Sequence, residues 1–364
     1  MCTRIFNNLD HKYLTTARNM DWAEQLPTTL YTFKRNLKKS GMAEQDDSTL
    51  TWISEYESVV TMVVGKDDNN EHCGASDGMN AAGLVANVLY DSGAQYQRSE
   101  GRAYKNLDVL RWVQYVLDTC CSVREVVEKF DANSEIHIQK SAVPSSGKDA
   151  LLHLSVSDVF GKSAIIEVIK GEFHIHCKPS YQVMTNEPSF TQQIKIDQYW
   201  KWQWNDNNPF PSHTIPGGPF PTDRFERASF NMLHLSKPKS TAESLAQSKS
   251  IAANASVPIG FSFATSEMPN IAPTLWSTLS SHNDLQYFFC NARTTGSCWV
   301  NLNCLNHQHD ASKLVMVGLH NKTFTNYSYS GLVNDELTAT QDPFSITPIV
   351  QIVNNKNEKI TEPA

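Results

Sequence analysis

LLHLSVSDVFGKSAIIEVIKGEFHIHC, residues 151–177, holds three short extended runs separated by two turn signals. The runs LLHLSVSD, SAIIEVIK and EFHIHC carry the β-branched and apolar residues that suit a pleated surface. VFGK and the segment around Gly171 supply the turns. Parallel neighbours need a crossover of a dozen or more residues, and these connections are far too short for one, so the stretch reads as an antiparallel meander.

Working outward, the same contrast between strand and helix repeats. TLTWISEYESVVTMVVGKD (49–67) reads as strands, and DGMNAAGLVANVLY (77–90) as a glycine-punctuated turn entering an apolar extended run. NLDVLRWVQYVLDTC (106–120) places Leu107, Leu110, Val113 and Leu117 at helical spacing. SVREVVEKF (122–130) opens with Ser122 and has Glu125 three residues on, a capping-box pattern. Downstream, TDRFERASFNMLHL (222–235) and STAESLAQSKSIAANAS (240–256) read as helices, each opened by a Thr or Ser cap. LQYFFCNA (285–292), CWVNLN (298–303) and KLVMVGLH (313–320) read as closing strands. Strict βαβ alternation is absent. The expectation is an α+β protein with two packed antiparallel sheets and helices on their outer faces, one domain over residues 1–364, less defined after about residue 260.

Composition narrows the function. The 364 residues are 40% hydrophobic and 19% charged, with a net charge of −7. That is an ordinary globular mix without the basic footprint of a nucleic-acid binder. No apolar run reaches the length of a membrane span, and MCTRIFNNLDHK has no apolar signal core. The chain as written is expected in the cytoplasm, or outside it if a signal once preceded Cys2. Eight scattered cysteines without a C-x-x-C pair read as reduced thiols, with a Cys290 bridge to Cys298 or Cys304 only in an exported protein. His174 and His176 share a strand face, but no third ligand is placed beside them, so they read as a half-buried strand pair and no metal is expected. In YWKWQWNDNNPFPSH (199–213), Trp200, Trp202 and Trp204 alternate. They suit an edge or loop packed on the core, or a contact between subunits. KRNLKKSG (34–41) reads as a solvated basic loop.

The reactive candidate is Cys2. If Met1 is trimmed, one residue carries both a thiol and a free α-amine, whose reference pKa of roughly 7.7–8.0 leaves a useful neutral fraction at pH 7. The amine can take the thiol proton and later return it to a leaving group. CTRIF and TTARNMDW are suited to pair as a hairpin with NNLDHKY as its turn, which brings Arg18 beside Cys2. A guanidinium there favours a thiolate, and Asp21 suits the α-ammonium or the arginine. In a regular strand positions 18 and 21 face opposite sides, so one of them is expected at a bend or bulge. Met20 and Trp22 suit the wall of an apolar acyl pocket.

MCTR, TARNMDW, DGMNAAGL, MTNEP (184–188) and DRFERASF (223–230), in that order, resemble the choloylglycine hydrolase family, the penicillin V acylases and bile salt hydrolases among the N-terminal-nucleophile hydrolases. The resemblance implies a four-layer αββα sandwich, no cofactor, a small-molecule N-acyl amide substrate and a homotetramer. It implies Cys2 as nucleophile, Arg18 and Asp21 as the residues that orient it, and Asn186 as side-chain donor to the oxyanion. Arg224 would complete the polar network, with Arg227 one turn away as the other choice. The backbone N–H of Tyr90 would be the second oxyanion donor, and a tyrosine there tilts the substrate toward penicillin V over conjugated bile salts or N-acyl homoserine lactones. A reading of another class is a silent protein that binds acyl amides or serves as a structural oligomer.

Overall fold

The structure, a computed structural model, describes residues 2–346 apart from 68, 69, 98–102, 206, 212, 264, 266–270 and 307. Met1 lies outside the described residues.

Among the described residues two large sheets dominate. The first runs in the order Val183–Met184, Cys2–Asn7, Thr15–Asp21, Thr274–Ser281, Gln286–Asn291, Ser297–Asn301 and Gly331–Leu332, antiparallel except for its last pair. The second has the path Glu172–Cys177, Ser163–Ile169, Leu152–Ser157, Val85–Tyr90, Asn70–Asn80, Ser58–Asp67, Thr28–Phe33, Ala311–His320 and Thr323–Asn326, with Thr338–Thr340 also on Ala311–His320. The meander of 151–177 therefore forms one end of the second sheet. Its tighter turn needs left-handed backbone at two successive residues, and Lys170 (φ 52°) and Gly171 (φ 76°) provide it.

Helices Pro221–Leu233 and Thr241–Ala255 cover the outer face of the first sheet, and Trp112–Thr119 and Val123–Lys129 that of the second. The layers are thus helix, sheet, sheet, helix, as expected. Two apolar clusters fill them. One joins the sheets, from Ile5, Ala17 and Leu89 to Trp276 and Phe289; the other lies under the helices of the second sheet, around Trp112, Val116 and Phe130. Strands after residue 260 belong to both sheets, and Thr274–Ser281 sits directly against Thr15–Asp21. No described helix is long and apolar enough to cross a membrane.

Several local expectations change. The helix expected over 106–120 begins only at Trp112. Lys105–Asp108 is a strand paired with Ile136–Gln139, and the Asp108 carboxylate caps a single tight turn by accepting from the Leu110 N–H at 2.8 Å. The aromatic stretch at 199–204 is not an edge or loop but the end of helix Phe190–Trp204. Trp200 and Trp204, one turn apart, stack there with ring centroids 5.9 Å apart, while Tyr199 and Trp202 face outward. In the basic run, Lys39 is fully buried. Its Nζ lies 3.0 Å from Asp118 Oδ2 and 3.7 Å from Asp342 Oδ2, because two carboxylates from distant segments supply the pairing that burial demands. None of the eight cysteines is in a disulfide. Cys290 is paired with Ser297 and Cys298 with Phe289, so a one-residue offset puts the two thiols on opposite faces of the sheet.

Candidate active site

The first hairpin is in register Cys2 with Met20, Arg4 with Arg18 and Asn7 with Thr15. Both strands are buried along their whole length, the pattern of a sheet covered on both faces. Arg18 and Met20 therefore share a face with the Cys2 side chain. Arg18 Nη2 lies 3.7 Å from Cys2 Sγ, 3.1 Å from Met20 Sδ and 3.0 Å from the Val88 carbonyl of the second sheet. Trp276, on the neighbouring strand, lies under the guanidinium at 4.6 Å, and Asp77 Oδ2 is 3.9 Å from Arg18 Nε.

Asp21 points to the other face, and no bend in its own strand is needed for it to serve the same site. Arg224, which stands beside Asp21, also reaches the Cys2 carbonyl and so links the two. The irregularity falls instead on the partner strand, between Thr274 and Trp276. Thr274 Oγ1 donates to Asp21 Oδ1 at 2.6 Å, and Arg224 Nη1 stands 3.6 Å from Asp21 Oδ2. Burial pushes the Asp21 carboxyl above the ordinary carboxylate range, against the opposing pull of Arg224 and Arg18.

Arg224 projects from helix Pro221–Leu233 and has no exposed surface. Nη1 donates to the Cys2 carbonyl at 2.7 Å and to Thr3 Oγ1, Nη2 to Asn186 Oδ1 at 2.9 Å, and Nε to the Pro219 carbonyl at 3.0 Å. Arg227, the other candidate, turns to the Pro216 and Gly218 carbonyls and does not reach Cys2. The geometry thus brings Arg224 to the cysteine.

Asn186 is the hub. Oδ1 accepts from the Cys2 nitrogen at 2.6 Å as well as from Arg224, and Nδ2 donates to the Tyr90 carbonyl at 2.6 Å. The neighbouring Asp91 N–H pairs with the Leu151 carbonyl, so the alternation of an antiparallel ladder turns the N–H and C=O of Tyr90 away from that strand, toward Asn186.

Beside the sulfur lies a small, partly open apolar cavity, walled by Cys2, Met20, Trp22, Val63, Leu110 and Val143 among others. Trp22 is buried and meets the Tyr90 ring edge-on at 5.5 Å. All eight residues singled out from the sequence converge here. Asp77, Trp276, Thr3 and Thr274 were missed. Asp77 stands in the quoted DGMN motif and Thr3 beside Cys2, whereas Trp276 and Thr274 carry no local signal and arrive only through sheet pairing.

Comparison with known proteins agrees with this arrangement. The sequence pattern described as linear amide C–N hydrolases, choloylglycine hydrolase family, matches residues 2–317. Penicillin V acylase of Pectobacterium atrosepticum is 40% identical over 320 residues, 84% of this chain and 82% of that protein. Bile salt hydrolase/transferase of Clostridium perfringens is 25% identical over 246 residues, 63% of this chain and 71% of that one. The solved penicillin V acylase from Agrobacterium tumefaciens superposes with a TM-score of 0.78 at 34% identity, covering 95% of this chain and 99% of that one. A variant of the conjugated bile acid hydrolase from Clostridium perfringens shares the fold, with a TM-score of 0.69 at 20% identity over 91% of this chain and 98% of that one. This chain belongs to the choloylglycine hydrolase family and is a hydrolase of linear amide C–N bonds.

Proposed function

We propose that the chain hydrolyses N-acyl amides through Cys2, which removal of Met1 converts into an N-terminal nucleophile. The observation that carries this reading is Asn186, whose one side chain touches the Cys2 nitrogen through Oδ1 and the Tyr90 backbone through Nδ2. The α-amine takes the thiol proton, and Sγ attacks the amide carbon. Negative charge passes to the carbonyl oxygen, held by Asn186 Nδ2 and the Tyr90 N–H. The ammonium returns its proton to the leaving nitrogen, the C–N bond breaks, and an acyl-thioester remains on Cys2. Water, deprotonated by the same amine, then releases the carboxylic acid and restores the thiol. Arg18 holds positive charge beside the sulfur. Arg224, through its bonds to the Cys2 carbonyl and Asn186 and its pairing with Asp21, keeps the nucleophile and the oxyanion donor in one frame.

The apolar cavity at the sulfur supports an aryl- or alkyl-acyl group, with Met20 and Trp22 in its wall. Together with the two acylase relatives this favours penicillin V-like substrates over conjugated bile salts and acyl homoserine lactones. The exposed Tyr199, Trp202 and Phe210, close together in sequence, support a homo-oligomer, a tetramer by the resemblance, which light scattering measures. The chain acts as one catalytic unit in this reading, since Thr274 from its last third bonds Asp21. The free thiols support a reducing compartment.

The test joins intact mass to kinetics. Active protein should lack Met1, and Cys2→Ala should hydrolyse none of penicillin V, glycocholate or a long-chain acyl homoserine lactone. Full activity with Met1 retained, or in Cys2→Ala, would end this reading. The ranking of the three substrates by kcat/KM decides the acyl group.

A further inference from the structure

Behind the oxyanion segment lies a second cluster with no part in the chemistry above. Asp91 follows strand Val85–Tyr90, His153 stands on Leu152–Ser157 and Glu167 on Ser163–Ile169. Leu154 faces Ile166 across the ladder, so the next residues, His153 and Glu167, face each other, and Leu89 pairs with His153 on the other side. Three adjacent strands thus aim one carboxylate, one imidazole and one carboxylate from the same sheet face. One ligand atom from each lies within 4.8 Å of the others, and all three residues are buried.

The imidazole is the informative member. His153 Nε2 lies 2.9 Å from the Thr185 carbonyl, which can only accept, so this nitrogen carries hydrogen. Nδ1 of the neutral ring is then a lone pair. It has no hydrogen-bond partner, the side chain is only 3% exposed, and the nearest Asp91 oxygen is 3.9 Å away, beyond hydrogen-bond reach. A buried lone pair aimed at two carboxylates is repulsive, so a positive charge belongs there, either a proton on Nδ1 or a cation held between the three side chains. Among the described residues no lysine or arginine pairs with Asp91 or Glu167; their ion-pair partners are His153 and His176.

Each donor is held from behind. Glu167 Oε1 accepts from the Phe190 N–H and Oε2 from His176 Nε2, both at 2.8 Å, and Asp91 Oδ1 accepts from the Gly93 N–H at 2.9 Å. Partners that fix the orientation of carboxylates and of the far nitrogen of a histidine are what metal ligands ordinarily have.

We propose that Asp91 Oδ2, His153 Nδ1 and one oxygen of Glu167 form a binding site for a divalent transition metal of the zinc type, completed by water. The mixed nitrogen and oxygen donor set suits zinc, whereas calcium and magnesium prefer all-oxygen shells. A divalent ion would offset the charge of the two carboxylates. The ion would brace the site through two short links: His153 holds the carbonyl of Thr185, the residue before Asn186, and Asp91 follows Tyr90. That consequence rests on the function proposed above, but the binding site does not.

The test reads metal rather than turnover. In Cys2→Ala protein, which lacks the reactive thiol, one equivalent of Zn²⁺ should bind after chelator treatment. At a hundredfold excess over Kd it should raise Tm by roughly 3–4 °C. Asp91→Asn and His153→Gln should each abolish that rise, the glutamine amide still reaching the Thr185 carbonyl, and Ca²⁺ should give none. A zinc-dependent rise of equal size in either variant, an equal rise with Ca²⁺, or no rise at all would overturn the site. If neither variant folds, zinc-edge X-ray absorption on the Cys2→Ala protein decides: a shell of nitrogen and oxygen supports the assignment, and a shell containing sulfur overturns it.

Discussion

Replacing Asn186 by alanine tests the core of the proposed chemistry, because one side chain makes three buried bonds. The Cys2 nitrogen and Arg224 Nη2 donate to Oδ1 at 2.6 and 2.9 Å, and Nδ2 donates to the Tyr90 carbonyl at 2.6 Å. If Nδ2 also receives the oxyanion, its loss removes ~2.7–4 kcal/mol of transition-state stabilisation, a fall in kcat of about 10²–10³. The effect belongs in kcat rather than KM, since the charge exists only in the transition state. Stability suffers separately. Arg224 Nη2 and the Tyr90 carbonyl lose buried partners, at about 1–3 kcal/mol each. Asn186→Asp separates the two effects: it keeps an oxygen for Cys2 and Arg224 but replaces the donor with an acceptor. It should fold better than the alanine variant and still be as slow. The assay is steady-state release of the primary amine from penicillin V, run well below the melting temperature of each variant. A fall in kcat of less than about tenfold in a folded Asn186→Ala enzyme leaves under ~1.4 kcal/mol for the donor and refutes its role. A loss confined to KM refutes it as well.

Three further outcomes follow from the packing. Trp22→Ala opens the cavity wall beside Tyr90 and should lower kcat/KM for aryl-acyl amides by about 10–100-fold, mostly through KM; an unchanged KM would remove Trp22 from the pocket. Burial and the nearby Asp197 push Glu226 from 4.5 to about 8. The folded chain then binds a proton that the unfolded chain releases, so stability falls as pH rises from about 4.5 toward about 8. Glu226→Gln should flatten that decline in Tm, and parallel curves for variant and parent would show the carboxyl to be unperturbed. Lys39→Met leaves the buried Asp118 and Asp342 without their cation and should cost about 3–5 kcal/mol in urea unfolding, whereas a loss below about 1 kcal/mol would mean the pair is not sealed from water.

Elements defined by short-range rules were legible. The hairpin that sets Arg18 beside Cys2 needs only two extended runs and a turn, and Ser122 caps its helix by accepting from the Glu125 N–H, as its spacing requires. The end of helix Phe190–Trp204 was not legible, because alternating tryptophans imitate strand periodicity while their packing uses the i to i+4 relation. Lys39 was misread for a related reason. A basic run signals solvent unless its counter-charges are known, and Asp118 and Asp342 lie 79 and 303 positions further along the chain. That Arg224 and not Arg227, one turn away, bonds the Cys2 carbonyl depends on the position of their helix over the Cys2 strand.

From the order of its residues alone the chain determines an antiparallel α+β protein and a hairpin that sets Arg18 and Met20 beside Cys2. Periodicity, caps and turns act over a few residues, and the side chains needed for them are adjacent in sequence. Tertiary structure alone decided that Trp276 lies under Arg18, that Thr274 bonds Asp21 across 253 positions, and that Asn186 joins Cys2 to Tyr90. It also decided that Asp91, His153 and Glu167 meet. Those contacts depend on the order of strands in two sheets and on which charges are sealed from water. That order is set by long-range burial summed over the whole core, which no local pattern of residues records.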